Sequence, residues 1–172
     1  MQIFKTTNDL KRFLDTCRDN NKTISLVPTM GGLHDGHLKL VDRAKEISDI
    51  VVVSIFVNPT QFARGEDFDD YPNTFSSDQR QLELKGVDVL FFPSREEIYP
   101  DGTQNDYKVG AIGQILCGEF RPTHFDGVAQ VVKRFFEIVE PDYSVFGEKD
   151  YQQLLIIKSL VERLNLDINI ES

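Results

Sequence analysis

Apolar runs and helix-period stripes alternate along the chain. Asn8 or Asp9 is placed to cap a helix carrying Leu10, Phe13, Leu14 and Cys17 on one face. Residues 23–27 (TISLV) read as a short buried strand. Leu38, Val41, Ala44 and Ile47 then return at helical spacing. Residues 49–57 (DIVVVSIFV) form the clearest strand, β-branched and apolar on both faces, as a parallel sheet covered on both sides requires. A polar segment over 58–73 leads into a helix through Asp78, Leu82 and Leu84 that ends at Gly86. Residues 87–92 (VDVLFF) are a further strand. The stretch 93–123 is irregular and rich in Gly and Pro, with one short strand expected near 107–109. Val128, Val131, Val132, Phe135, Phe136 and Val139 make a strong helical stripe, which reads as core. A strand over 143–146, a helix lined by Leu154, Leu155, Ile157, Val161 and Leu164, and a strand over 166–170 complete the pattern.

Strand and helix alternating in this way predict an α/β fold, a doubly wound parallel sheet forming one domain. Ligands of such sheets sit beyond the carboxyl ends of the strands. The polar, glycine-containing loops at 28–37, 58–62 and 147–150 all follow strands, so they are expected to converge on one crevice.

Composition narrows the partners. The 172 residues are 40% hydrophobic and 27% charged, as in ordinary soluble domains. A net charge of −9 excludes the basic stripe that nucleic acid needs, so no nucleic-acid partner is expected. Cys17 and Cys117 lie far apart without CxxC spacing and read as reduced thiols of a cytoplasmic protein. The start, MQIFKTTNDLKRF, is charged and amphipathic, unlike a signal peptide. The longest apolar run, 50–57, is interrupted by Ser54 and is too short for a bilayer, so no membrane partner is expected either.

The chemistry concentrates in residues 28–37, PTMGGLHDGH, which hold two of the three histidines. Pro28 fixes the backbone after a strand, and Gly31 and Gly32 permit a tight turn. Gly36 sits between the histidines where a helix begins, leaving room for a ligand near the backbone. Unpaired amides and the positive end of the helix dipole favour phosphate there. Two imidazoles add hydrogen-bond donors as charge builds on phosphate oxygens. The expected ligand is a nucleoside triphosphate. Zinc is the rival, but no Cys or third His lies nearby to complete a tetrahedral set, and Asp35 projects away. Histidines satisfied by local caps are the other alternative; the third, His124, lying in another polar Gly/Pro-containing stretch (RPTHFDG), weakens it.

These residues also resemble a family. PTMGGLHDGH is similar to the HxGH signature of nucleotidylyltransferases, relatives of class I aminoacyl-tRNA synthetases. FVNPTQF, GEDFDDYP, RPTHFDGVAQVV and FGEKDYQQL, in that order, resemble the pantothenate synthetase (pantoate–β-alanine ligase) family over nearly the whole chain. The resemblance implies a Rossmann-like domain of the HUP/nucleotidylyltransferase type, with ATP, pantoate and β-alanine as its small molecules, Mg2+ accompanying ATP, no tightly bound cofactor, and a homodimer. It implies that pantoate attacks ATP to give pantoyl adenylate and pyrophosphate, and that β-alanine then displaces AMP.

Carried over by position, Met30, Gly31, Gly32, Leu33, His34, Asp35, Gly36 and His37 would line the ATP site. His34 and His37 would act on the phosphates, with His37 the proton donor. Gly147, Glu148, Lys149 and Asp150 would form a second ATP loop, Lys149 supplying fixed positive charge and Asp150 the ribose contacts. Gln61 and Gln153 would hold pantoate, since an amide donates to a carboxylate without neutralising it. Asp78 is a candidate for placing magnesium, although a carboxylate in a helix's first turn is also expected on dipole grounds. Arg121 and His124 are candidates to contact phosphate or close the site, with stabilisation of their loop the alternative. Asp67, Asp69 and Asp70 read as a solvated acidic run.

The family pattern has Arg where Asn73 stands and Gly where Thr123 stands. It continues past Ser172 into a Ser- and Arg-rich signature and a smaller C-terminal domain, so residues 1–172 alone are expected to bind and turn over poorly. Another HxGH nucleotidylyltransferase and a non-catalytic nucleotide-binding or dimerisation module are the alternatives.

Overall fold

The structure, a computed structural model, describes residues 1–62, 74–104 and 107–172. Its strands and helices run in chain order as β1 (Gln2–Phe4), α1 (Thr7–Asp19), β2 (Ile24–Thr29), α2 (Asp35–Ile47), β3 (Ile50–Ile55), α3 (Phe75–Leu84), β4 (Val89–Phe91), α4 (Arg95–Ile98), α5 (Cys117–Phe120), α6 (His124–Val139), β5 (Tyr143–Val145), α7 (Tyr151–Leu164) and β6 (Asn169–Glu171). The six strands form one sheet in the order β1-β4-β3-β2-β5-β6, every pairing parallel. The expected doubly wound α/β sheet is what the chain forms.

The period of two explains the apolar strand sequences. In β2, Ile24 and Leu26 face one buried layer while Val27 faces the other. In β3, Val52 joins the first layer, and Val51, Val53 and Ile55 the second. In β4, Val89 and Phe91 oppose Leu90 in the same way. The first layer is completed by α1, α6 and α7, through Leu10, Leu14, Val128 to Val139 and Leu154 to Leu160. The second is completed by α2 and α3, through Val41, Ala44 and Leu82.

Several expectations shift. The cap of α1 is Thr6, whose Oγ1 accepts the Asp9 N–H at 3.2 Å, two residues before Asn8. β1 carries no strong apolar signal: its three residues are exposed or half-buried, and they are held at the sheet edge by the register Gln2↔Val89 to Phe4↔Phe91. No strand forms at 107–109. This region instead holds the short helices α4 and α5 and a 3-10 turn at Ala111–Gly113, with Val109 tied down by its N–H to Asp126 Oδ1 at 3.0 Å. The final strand begins at Asn169 rather than at 166. Asp67, Asp69, Asp70 and Asn73 lie outside the described residues. No helix among the described residues is long and apolar enough to cross a membrane.

Candidate active site

The winding reverses beside β2: the chain runs outward through β3 and β4 on one side and through β5 and β6 on the other. The carboxyl ends of β2 and β5 therefore flank the place where doubly wound sheets bind ligands. The turn after β2 (28–34), the 3-10 turn Pro59–Gln61 after β3, and the 3-10 turn Glu148–Asp150 after β5 open there together. Between them lies a crevice of about 170 Å3. His37, Asn58, Gln61, Asp150 and Gln153 supply its polar side, Met30 lies beside them, and α6 supplies an apolar wall through Val128, Val131, Val132 and Phe135. The stripe expected to be core alone thus also walls the site. The volume falls below the roughly 300–1,000 Å3 of drug-sized pockets.

The glycine turn is built differently from the expectation. Gly31 and Gly32 adopt φ of 85° and 64°, which only glycine takes without strain. That twist aims their amides inward. Gly31 N–H donates to Thr29 Oγ1 at 3.2 Å, and Gly32 N–H to Asp78 Oδ2 at 2.9 Å and Thr74 Oγ1 at 3.0 Å. Leu33 N–H donates to Asp78 Oδ1 at 2.9 Å. The Leu33 side chain packs in the second layer. These three amides are internal anchors, not phosphate donors. Asp78 is 1% exposed and both its oxygens accept backbone N–H groups, so it clamps the turn. Among the described residues, no group of three or more acidic, His or Cys side chains is arranged to hold a metal.

The histidines divide the work. His34 caps α2: its Nδ1 accepts the Gly36 N–H at 3.0 Å, which in the neutral ring leaves the proton on Nε2. A Cβ on Gly36 would lie 2.8 Å from His34 Cε1, so a larger residue there would displace the capping ring. The local-cap alternative therefore holds for one nitrogen of one histidine. His37 stacks beside it with ring centroids 4.2 Å apart, lines the crevice, and has a buried Nδ1 with no hydrogen-bond partner among the described residues. Burial, then the adjacent His34, push the His37 pKa below its ordinary value; Lys149 acts in the same sense, and Asp78 and Asp150 oppose. A neutral ring at a crevice wall is poised to gain a proton when negative charge enters.

The amino-acid sequence matches the pantoate-beta-alanine ligase family over residues 2–172. This chain belongs to the pantoate–β-alanine ligase family. It is 53% identical to pantothenate synthetase of Aquifex aeolicus (strain VF5) over 168 residues, covering 98% of this chain and 60% of that protein. It is 51% identical to that of Ruthia magnifica subsp. Calyptogena magnifica over 172 residues, covering 100% and 62%. Among solved structures it is similar to a Francisella tularensis pantoate–β-alanine ligase complexed with β-γ ATP and β-alanine, at TM-score 0.94 and 41% identity, covering 99% of this chain and 65% of that one. A pantothenate synthetase from Thermus thermophilus gives TM-score 0.91 and 42% identity, over 99% and 60%. The chain thus spans about three fifths of the length of the curated relatives.

Within this member of the pantoate–β-alanine ligase family, the structure gathers Met30, Gly31, His37, Gln61, Asp150 and Gln153 around the crevice. Gly32, Leu33, His34, Asp35, Gly36, Gly147, Glu148 and Lys149 do not line it. His34, Asp35, Glu148 and Lys149 are exposed beside it, on the turns that frame its mouth. Glu148 Oε1 accepts from Ser172 Oγ at 3.3 Å, and a Cβ on Gly147 would meet nothing within 4 Å. Arg121 and His124 contact each other and the turn that carries Gln61. Arg121 Nη1 lies 3.1 Å from His124 Nε2, and His124 Nδ1 lies 2.8 Å from the Gln61 carbonyl oxygen, to which it donates.

Sequence reasoning missed Asn58, which is 1% exposed and lines the crevice. Its Nδ2 donates to the Gly127 carbonyl at 3.1 Å and to Gln61 Oε1 at 3.2 Å. A lone asparagine after a strand reads as turn chemistry; nothing local signals that its partner lies 69 residues on.

Proposed function

We propose that residues 1–172 form the nucleotide- and pantoate-binding domain of an AMP-forming ligase that joins pantoate to β-alanine. A carboxylate oxygen of pantoate bonds to the α-phosphorus of ATP, the bond to the β-phosphate oxygen breaks, and pyrophosphate leaves. The β-alanine amine then attacks the acyl carbon of pantoyl adenylate, AMP departs, and the amine's proton is lost to give the amide of pantothenate. Such chemistry needs positioning and charge neutralisation more than covalent help.

One observation carries the reading: a single small crevice draws His37, Gln61 and the Asp150–Gln153 pair from three separate segments to one apolar wall. Gln61 and Gln153 suit pantoate's carboxylate and hydroxyls, and Val128, Val131 and Val132 suit its two methyl groups. His34, His37 and Lys149 suit the triphosphate at the crevice mouth, and Asp150 the ribose. With both Asp78 oxygens committed to backbone amides, magnesium enters with ATP as part of the substrate. The paired glutamines favour pantoate over the phosphorylated acceptor of another HxGH nucleotidylyltransferase. Family membership further supports a cytoplasmic homodimer, and the net charge of −9 argues against nucleic acid.

Pantoate-dependent pyrophosphate release from ATP tests this. His37→Ala is expected to cut release by about 10²-fold or more. Release that is indifferent to pantoate would overturn the assignment of substrate. Full activity in His37→Ala would remove that residue from the chemistry.

A further inference from the structure

Gln61 does not choose its own hydrogen-bonding face. Asn58 is oriented by backbone groups whose polarity is unambiguous: its Nδ2 donates to the Gly127 carbonyl, and its Oδ1 accepts the Thr60 N–H at 3.3 Å. The second Nδ2 proton is therefore aimed at Gln61, so the Gln61 atom 3.2 Å away is the carbonyl Oε1. Gln61 Nε2 is turned the other way, to the crevice side, where it meets the Met30 thioether at 2.9 Å. A thioether is a weak acceptor that a ligand oxygen would readily replace.

Behind Asn58 stands Tyr99, at the C-terminal end of α4 and 8% exposed. Its hydroxyl donates to Asn58 Oδ1 at 2.8 Å, and its ring leans on Phe56 with centroids 6.2 Å apart. We propose that Tyr99 is a positioning residue for substrate selection: its hydroxyl, the shortest of the bonds to Asn58 Oδ1, reinforces the hold of the backbone and of Thr60 Oγ1 on Asn58 and so keeps Gln61 a hydrogen-bond donor to the crevice, which takes an oxygen acceptor such as a carboxylate or hydroxyl and rejects a donor there. This rests on the reading of Gln61 as a pantoate contact. Burial pushes the Tyr99 hydroxyl up to about 12, so it stays a donor throughout the physiological range. The relay spans three segments of the chain, β3's following turn, the α4 terminus and α6, and none of its links depends on a charged group that salt would screen.

Tyr99→Phe removes the hydroxyl and keeps the ring. Pantoate affinity of the 172-residue chain, measured by calorimetry, is expected to fall about five- to tenfold, while ATP affinity changes less than about twofold. The decisive readout is a double-mutant cycle: in a Gln61→Ala background, Tyr99→Phe is expected to cost nothing further. Gln61→Ala weakening pantoate with Tyr99→Phe adding its full factor on top would overturn the relay and leave the function standing. Pantoate affinity unchanged by Gln61→Ala alone would overturn the pantoate assignment of Gln61, and the relay with it. Preference is a second measure: Tyr99→Phe is expected to narrow the gap between pantoate and its amide, pantoamide, and an unchanged ratio counts against the proposal.

Discussion

Asp78 and Leu33 are 45 residues apart in sequence and joined at 2.9 Å, the buried carboxylate on α3 accepting the backbone N–H of the turn after β2. The neighbouring Gly32 N–H reaches the other oxygen at the same distance, and Thr74 Oγ1 donates to it at 2.8 Å. A helix on one face of the sheet thereby sets the conformation of the turn that carries His34 and leads into the first turn of α2, where His37 lies.

Removing this clamp is expected to cost stability before it costs chemistry. Asp78→Ala strands the buried Leu33 N–H, worth about 1–3 kcal/mol when left unpaired, and takes one of two acceptors from the Gly32 N–H, which keeps Thr74 Oγ1. A loss of about 2–4 kcal/mol corresponds to a melting temperature lower by roughly 4–16 °C for a chain of this size. Thermal denaturation followed by circular dichroism, without magnesium, checks it. An unshifted melt combined with a lost magnesium dependence would return Asp78 to metal binding.

His37 supplies a pH prediction. Its pKa is held below the ordinary 6.5, chiefly by burial. The unfolded chain therefore takes up a proton near pH 6.5 that the folded chain refuses. This group costs stability as the pH falls from about 6.5 towards its lowered folded value, and has no effect well above that. A triphosphate arriving beside the ring reverses the burden, so ATP binding near the ring's ordinary pKa is expected to take up a fraction of a proton. The apparent binding enthalpy should then vary with the ionisation enthalpy of the buffer, and His37→Gln should abolish that variation. Buffer-independent binding in the unsubstituted protein would refute the coupling.

How much of this was legible from residues alone follows the range of the forces. The strands β2, β3 and β4 were readable because Ile, Val and Leu alternate between two buried layers, a local signature of a covered parallel sheet. The convergence of three loops followed from topology. β1 was not readable, since its place depends on pairing with Val89 to Phe91 rather than on its own apolarity. Asp78 misled for a physical reason: an acid in a first helical turn satisfies the dipole rule, which hides that both oxygens are held by a turn far away in sequence. Asn58 and Tyr99 escaped for the same reason, because their hydrogen bonds define them and no spacing encodes those.

Thr123 tests a departure from the family pattern. It stands where glycine was expected, and its φ of 72° lies in the left-handed region, which a β-branched side chain enters only under strain. Such strain costs about 1–3 kcal/mol, offset in part by the extra freedom glycine gives the unfolded chain. Thr123→Gly is expected to gain about 1 kcal/mol and raise the melting temperature by roughly 2–4 °C. A lower melting temperature would mean that the threonine side chain stabilises the turn more than its backbone strains it.

Gly127 makes the sharpest steric prediction. It lies in the first turns of α6, where a Cβ would come 2.2 Å from the Thr60 carbonyl oxygen, 2.5 Å from its carbon and 2.7 Å from the Gln61 nitrogen. All three are backbone atoms, so no rotamer change relieves the overlap; the Pro59–Gln61 turn must move away from α6, taking Gln61 with it. Gly127→Ala is therefore expected to destabilise by about 1–3 kcal/mol and to weaken pantoate about tenfold or more, while ATP affinity, resting on the turns after β2 and β5, is largely kept. Gly147→Ala is the control: a Cβ there meets nothing within 4 Å, and the fold is expected to tolerate it within about 0.5 kcal/mol. Equal loss of pantoate and ATP binding in Gly127→Ala would mean that the two subsites do not stand on separate supports.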